Sequence, residues 1–265
     1  MAKGISLHIG LNSVDPLAYE GWSGDLAACE FDAKDMKALA AKQGFTSSTV
    51  LLTKKATADA VLNGILAASA KLKSGDIFFL TYSGHGGQVK DKNGDEEDDR
   101  MDETWCLYDR EVIDDELYAL YSKFAAGVRI LVLSDSCHSG TVMRMRNVGP
   151  RKRFMPPAIG KRVYEAHKAM YDGIQRRTKA SEKTTVKASG ILISGCMDNQ
   201  ESSDGDRNGL FTGTMKAVWA NGKFKRNYRS FRDAIVARMP SDQTPNYFTI
   251  GKPSPAFEAQ RPFTV

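Results

Sequence analysis

The sequence predicts an α/β fold in three layers, a central and mostly parallel β-sheet flanked by helices on both faces. Strand and helix signals alternate along the 265 residues, the order from which parallel sheets are built. Two runs, residues 76–82 (Asp-Ile-Phe-Phe-Leu-Thr-Tyr) and 128–134 (Val-Arg-Ile-Leu-Val-Leu-Ser), are apolar almost throughout, as in strands covered on both faces. Each is followed by a turn of small residues that presents one reactive side chain. These are His85 in Tyr82-Ser83-Gly84-His85-Gly86-Gly87 and Cys137 in Asp135-Ser136-Cys137-His138-Ser139-Gly140.

The remaining elements follow in order. Residues 4–11 alternate and predict the first strand. Residues 27–43 carry Phe31, Met36 and Leu39 at helical spacing, and Gly44 closes that helix. Residues 49–52 are a short strand. Thr57 caps a helix to about residue 72, with Val61, Leu62, Ile65 and Leu66 on its apolar face. A helix is predicted over 114–124, a strand over 190–195, helices over 209–220 and 230–239, and a last strand or extended segment over 245–250. The whole is one domain, residues 1–265, with a basic insertion at about 142–188 that has a helix-like middle over 161–177.

Composition narrows the function. The chain is 42% apolar, enough for a full core, and no stretch approaches the roughly 20 apolar residues that span a bilayer. The first residues lack the apolar run of a signal peptide, so a cytoplasmic location without membrane attachment is expected. Cys29, Cys106, Cys137 and Cys196 are widely spaced and suggest neither a zinc site nor a disulfide framework. The formal net charge is +5, but the charge is segregated. Between Thr141 and Ala188 stand thirteen Lys and Arg against Glu165, Asp172 and Glu182, which leaves the rest net acidic. No nucleic-acid-binding motif accompanies the basic stretch, so it reads as a solvated insertion and nucleic acid is not an expected partner.

In open α/β sheets the site lies beyond the carboxyl ends of the strands, where both small-residue turns fall. A thiol must lose its proton to attack a carbonyl, and a neighbouring imidazole can take that proton and return it to the leaving amine. Cys137 is therefore the candidate nucleophile and His85 the candidate general base. The amides of Gly86 and Cys137 are placed to donate to an oxyanion.

These residues carry a family resemblance. His85 and Cys137 lie 52 positions apart, near the caspase spacing. Their segments resemble those of metacaspases, in particular the prokaryotic type without a prodomain. Leu26-Ala27-Ala28-Cys29-Glu30-Phe31-Asp32-Ala33, Asp102-Glu103-Thr104, Ile113-Asp114-Asp115-Glu116-Leu117 and Ser194-Gly195-Cys196-Met197-Asp198-Asn199-Gln200-Glu201-Ser202 extend the match over most of the chain. The resemblance implies a caspase-like fold and a cysteine endopeptidase acting on polypeptides as a monomer or weak homodimer. A catalytically inactive caspase-like regulator that binds peptides is the alternative, and the intact pair argues against it.

Caspases place Gln two residues before the nucleophile and cut after Asp; this chain has Asp135 there. Positions 135 and 137 share one side of an extended segment, and a carboxylate in the pocket favours a cationic side chain. The resemblance adds Asp32 and Ser83 to the pocket wall. Cleavage after Arg or Lys follows. The insertion then has two further readings. It offers self-processing sites, including Arg144, Arg146, Arg151-Lys152-Arg153 and Arg176-Arg177, or it is a lid that fills the acidic pocket with one of its own basic side chains.

Residues 91–103 carry eight carboxylates. Such density can bind calcium, although the helix-loop-helix calcium pattern fails at Gly94 and Asp102. The chemistry needs no cofactor. From the residues alone a solvated acidic loop is favoured, whereas the resemblance implies calcium as an activator, held by Asp102, Asp114 and Asp115. The family has a further carboxylate soon after the nucleophile. Here that region is Met143-Arg144-Met145, with no acid between Cys137 and Glu165.

Overall fold

A computed structural model describes residues 2–92, 101–136, 152–182, 185–196 and 202–265. Its frame is a six-stranded sheet in the order β2-β1-β3-β7-β8-β9. The strands are β1 (Gly4–Gly10), β2 (Ser47–Leu52), β3 (Ile77–Ser83), β7 (Arg129–Asp135), β8 (Ser189–Ser194) and β9 (Asn246–Gly251). The first five are parallel, and β9 runs antiparallel to β8 along one edge. The apolar run of β3 is buried at every position because both faces are covered. Phe78, Leu80 and Tyr82 pack with Val61, Ile65, Leu117 and Tyr121 of α2 (Ala58–Lys71) and α3 (Asp114–Tyr121). Ile77 and Phe79 pack on the other side with Met36, Leu39, Phe211, Met215 and Phe231. These belong to α1 (Cys29–Lys42), α6 (Leu210–Trp219) and α7 (Tyr228–Val236). The predicted three layers are therefore present. Thr57 caps α2, its hydroxyl accepting the Ala60 N–H at 3.2 Å.

The sequence reading missed a second, antiparallel sheet of β4 (Gly86–Lys90), β5 (Met101–Cys106) and β6 (Glu111–Ile113). It also corrects the picture of the insertion. The helical stretch divides at His167 into α4 (Pro157–Ala166) and α5 (Lys168–Glu182). Met155, Val163, Tyr171 and Ile174 are buried against Val89, Cys106 and Ile113 of the small sheet. Residues 152–179 thus supply the second sheet with a core and are not a solvated excursion. A last short helix, α8 (Pro255–Glu258), closes the α1 side with Phe257. Among the described residues no helix is long and apolar enough to cross a membrane.

Candidate active site

Ser83 ends β3 and Asp135 ends β7, and the two are register partners on adjacent parallel strands. Asp32, in the first turns of α1, completes the corner, accepting the Ser83 hydroxyl at 2.7 Å. The three residues proposed to line one pocket are brought together, all of them buried.

The pocket is filled. Arg153, from the basic stretch, inserts its side chain and is completely shielded from solvent. Nη1 donates to Ser83 Oγ at 2.8 Å and pairs with Asp135 Oδ2 at 2.9 Å. Nη2 reaches Asp32 Oδ2 at 2.7 Å and Asp204 Oδ1 at 2.9 Å. A guanidinium can be buried only if it is paired and hydrogen-bonded. Burial opposes its charge, but Asp135, Asp32 and Asp204 outweigh burial and hold Arg153 firmly protonated. Burial pushes Asp32 above the usual carboxylate range; Arg153 pulls it down and Asp135 pushes it further up. One cation thus faces three carboxylates. This arrangement matches the lid reading of the insertion.

Asp204 and Gly209 were not found from the sequence. An ideal Cβ on Gly209 would stand 2.5 Å from the Arg153 guanidinium carbon, so the missing side chain is what leaves room for the cation. Gly209 also donates its N–H to Asp32 Oδ1 at 3.2 Å. The Asp135 carboxylate is fixed by Ser202 Oγ at 2.6 Å and by the N–H and hydroxyl of Thr212 at 3.0 and 2.7 Å.

The backbone around Arg153 is held as well. Its N–H donates to the Ser202 carbonyl at 2.9 Å, and its own carbonyl accepts the Gly86 N–H at 3.1 Å. Lys152 bridges Ser203 in antiparallel sense and Phe154 bridges Gly86 in parallel sense. Gly86 is one of the two amides expected to serve an oxyanion.

His85 stands in the turn between β3 and β4. Its backbone carbonyl accepts from the Tyr82 hydroxyl at 2.6 Å and from the Cys106 N–H at 2.9 Å. Its ring packs on Trp22, with centroids 4.8 Å apart. Nε2 lies 2.9 Å from the Gly24 carbonyl. A carbonyl only accepts, so Nε2 carries the proton and Nδ1 keeps its lone pair. Nδ1 is buried without a hydrogen-bond partner among the described residues, and an imidazole in this tautomer is ready to receive a proton there. Burial lowers the His85 pKa from 6.5 to about 4, partly offset by the Gly24 carbonyl. Cys137, and with it the second oxyanion amide, lies outside the described residues, as does His138. Cys29, Cys106 and Cys196 are buried thiols. Burial pushes Cys29 up to about 12, which makes it a poor nucleophile.

Among the described residues no group of three or more His, Cys, Asp or Glu side chains is arranged to hold a metal ion. Asp102 is buried on β5, Asp114 and Asp115 open α3, and Asp115 accepts the Thr178 hydroxyl of α5 at 3.2 Å. Residues 93–100 of the acidic loop lie outside the described residues.

The geometry defines a class of protein: an α/β domain with a partnered imidazole and a carboxylate-lined pocket at the carboxyl edge of a parallel sheet. The Caspase domain family matches residues 7–263, and the chain belongs to that family of cysteine peptidases. It is 30% identical to Metacaspase-1 of Kluyveromyces lactis over 282 residues, covering 91% of this chain and 63% of that protein. It is 31% identical to Metacaspase-1 of Cryptococcus neoformans, covering 85% of this chain and 56% of that protein. The chain therefore spans less than two thirds of these curated relatives. A crystal structure of a Geobacter sulfurreducens protein, 57% identical, superimposes with a TM-score of 0.91 over 99% of both chains. Caspase-1 from Spodoptera frugiperda shares the fold, with a TM-score of 0.56 at 10% identity over 94% of this chain and 86% of that one.

Proposed function

We propose that the protein is a cysteine endopeptidase that cuts after Arg or Lys, with Cys137 as nucleophile and His85 as general base, and that it processes itself at Arg153–Phe154. The observation that carries this reading is the binding of Arg153. Its side chain is in the acidic pocket, its N–H is paired to Ser202 and its carbonyl is on the Gly86 N–H, as the residue before a scissile bond must be held. Lys can enter the same pocket as a point charge.

In this mechanism the Cys137 thiol gives its proton to His85 Nδ1, and the thiolate adds to the Arg153 carbonyl carbon. The oxyanion is held by the Gly86 N–H and, as the family resemblance implies, by the Cys137 N–H. The C–N bond breaks, and Phe154 leaves as an amine carrying the proton returned by His85. Water, deprotonated by His85, then releases the acyl group from sulfur. Until that happens the segment blocks the pocket, so the uncut chain is self-inhibited.

Calcium as an activator rests on the resemblance alone, through Asp102, Asp114 and Asp115, and no step above uses it. Adding or chelating calcium in a peptidase assay tests it.

The experiment for the main reading is incubation of the full chain beside a Cys137→Ala variant, followed by intact-mass analysis. The expected result is a pair of fragments ending at Arg153 and starting at Phe154 from the parent only. Equal integrity of the two proteins under all activating conditions, or fragments ending at an acidic residue, overturns it.

A further inference from the structure

The carboxylate of Asp204 has two sets of partners. Toward the pocket, Oδ1 holds Arg153 Nη2 at 2.9 Å. Toward the N-terminus of α1, Oδ2 accepts the Ala27 N–H at 2.7 Å and Oδ1 the Ala28 N–H at 3.3 Å. Ala28 occupies the N-cap position of α1, and its own side chain forms no cap hydrogen bond. The N2 donor of the helix, the Glu30 N–H, goes to Asn12 Oδ1 at 3.1 Å, while Asp204, 176 residues away, holds the two amides that lead into the first turn, where an anion is electrostatically favoured. The segment it grips is the one that orients the imidazole, since Gly24 accepts His85 Nε2 and Trp22 packs on the ring.

We infer that Asp204 sets the preference of the pocket for a guanidinium over an ammonium, and that it positions His85 by tying residues 27 and 28 to the occupied pocket. The inference rests on the reading of the Arg153 pocket as the site for the residue before the cut bond. The selectivity follows from the shape of the cation. A guanidinium presents two Nη groups, one spanning Ser83 and Asp135, the other spanning Asp32 and Asp204. A Lys ammonium is one compact point and cannot lie within hydrogen-bond distance of all four groups together. Asp204 is a positioning residue toward His85, since it acts through the backbone it holds and through its charge. The charged groups that act on the ring across the site are Arg153, which lowers its basicity, and Asp204, which raises it.

The test is made in the full chain carrying Arg153→Ala, which empties the pocket whether or not the chain is cut. Fluorogenic peptides differing only in Arg or Lys before the reporter are compared. Asp204→Asn keeps an oxygen for the Ala27 N–H and loses the charge. It is expected to lower kcat/KM for the Arg substrate at least 10-fold, mainly through KM, and to shrink the Arg-to-Lys ratio by a similar factor. Asp204→Ala loses both functions and is expected to lower kcat a further 10-fold on both substrates. Ala27→Pro, which deletes one donor and leaves the carboxylate in the pocket, is expected to lower kcat at an unchanged Arg-to-Lys ratio. If Asp204→Ala does not fold, inhibition of Asp204→Asn by arginine amide against lysine amide decides the selectivity, and Ala27→Pro decides the positioning. An unchanged ratio in Asp204→Asn overturns the specificity role. A kcat unchanged in both Asp204→Ala and Ala27→Pro overturns the positioning role. Failure of the parent to cut after either residue overturns the underlying reading instead.

Discussion

Arg153 and Asp135 meet at 2.9 Å with 0% and 2% of their side chains exposed. One comes from the basic stretch and the other from the end of β7, at the edge where the sheet presents its chemistry. Two ions are withdrawn from water here, and the cost is offset because Asp32, Asp204 and Ser83 also bond the two Nη groups of the guanidinium.

Removing the cation should destabilise the fold and open the site. Arg153→Ala leaves three buried carboxylates facing one another, and breaking a buried pair costs about 3–5 kcal/mol. The melting temperature is expected to fall, and millimolar arginine amide should restore part of it by binding the native state alone. Labelling at Cys137 by an Arg-mimicking thiol reagent should be faster than in the uncut parent. A variant that melts like the parent and ignores arginine amide would show that the pocket does not need a cation.

Gly209→Ala should act on the cation and leave the backbone conformation unchanged. Gly209 precedes α6 with φ −58°, a value any residue adopts, so the backbone accepts alanine. Its methyl would stand 2.5 Å from the place of the guanidinium carbon. Turnover of an Arg substrate is expected to fall more than 10-fold through KM, with a far-ultraviolet circular dichroism spectrum like that of the parent. An unchanged KM would mean that substrate does not reach the depth that Arg153 does.

Buried His8 should make the protein sensitive to acid. It lies between Thr81 Oγ1 and Ser6 Oγ at 3.0 and 2.9 Å. Burial, with a smaller contribution from Lys37, lowers its pKa from 6.5 to about 3. The unfolded chain takes up this proton below about pH 6.5 while the folded chain refuses it, so stability falls as pH drops from 6.5 toward 3. His85, lowered to about 4, acts in the same direction. Urea midpoints across this range should decline in the parent and decline less in His8→Gln. Equal slopes would refute the assignment.

Glu111 should act in the opposite direction. It is fully buried on β6, where it accepts the Thr104 hydroxyl. Burial raises its pKa to about 8, and the Thr104 bond only partly opposes this. The folded chain keeps a proton that the unfolded chain releases above about pH 4.5, so this residue lowers stability as pH rises from 4.5 to 8. Glu111→Gln keeps an acceptor for Thr104 and removes the titration. It is expected to melt above the parent at pH 8.5 and close to it at pH 5. A variant less stable than the parent at both values would refute the account.

The sequence made much of the frame legible because the signals were local. The apolar run of β3 could be recognised because its burial on both faces leaves no alternation. Asp135 was found because it stands two residues before Cys137 at the end of such a run, whereas Ser83 and Asp32 came only from the family resemblance. The second sheet was missed for lack of such a run: β6 has three residues and β5 reads Met-Asp-Glu-Thr-Trp-Cys. Three residues show no period, β5 has no clean alternation of apolar and polar positions, and the core on which both strands pack comes in part from α4 and α5. Arg153 was one of thirteen basic residues in its stretch. What singles it out is its partners, and three carboxylates from α1, β7 and the segment before α6 meet only in the folded chain. Asp204 carried no motif, and its role comes from the close approach of residues 27, 28 and 153.

The central claim is that a Cys137 thiolate cuts peptide bonds after a basic residue held by Asp135 and Asp32. Its most direct test is kcat/KM on a fluorogenic panel with Arg, Lys, Asp and Asn before the reporter, for the processed parent and for Cys137→Ala. The account predicts cleavage after Arg, weaker cleavage after Lys, at least 100-fold less after Asp or Asn, and none by Cys137→Ala. Cleavage after Asp alone, or equal activity in the two proteins, would contradict it.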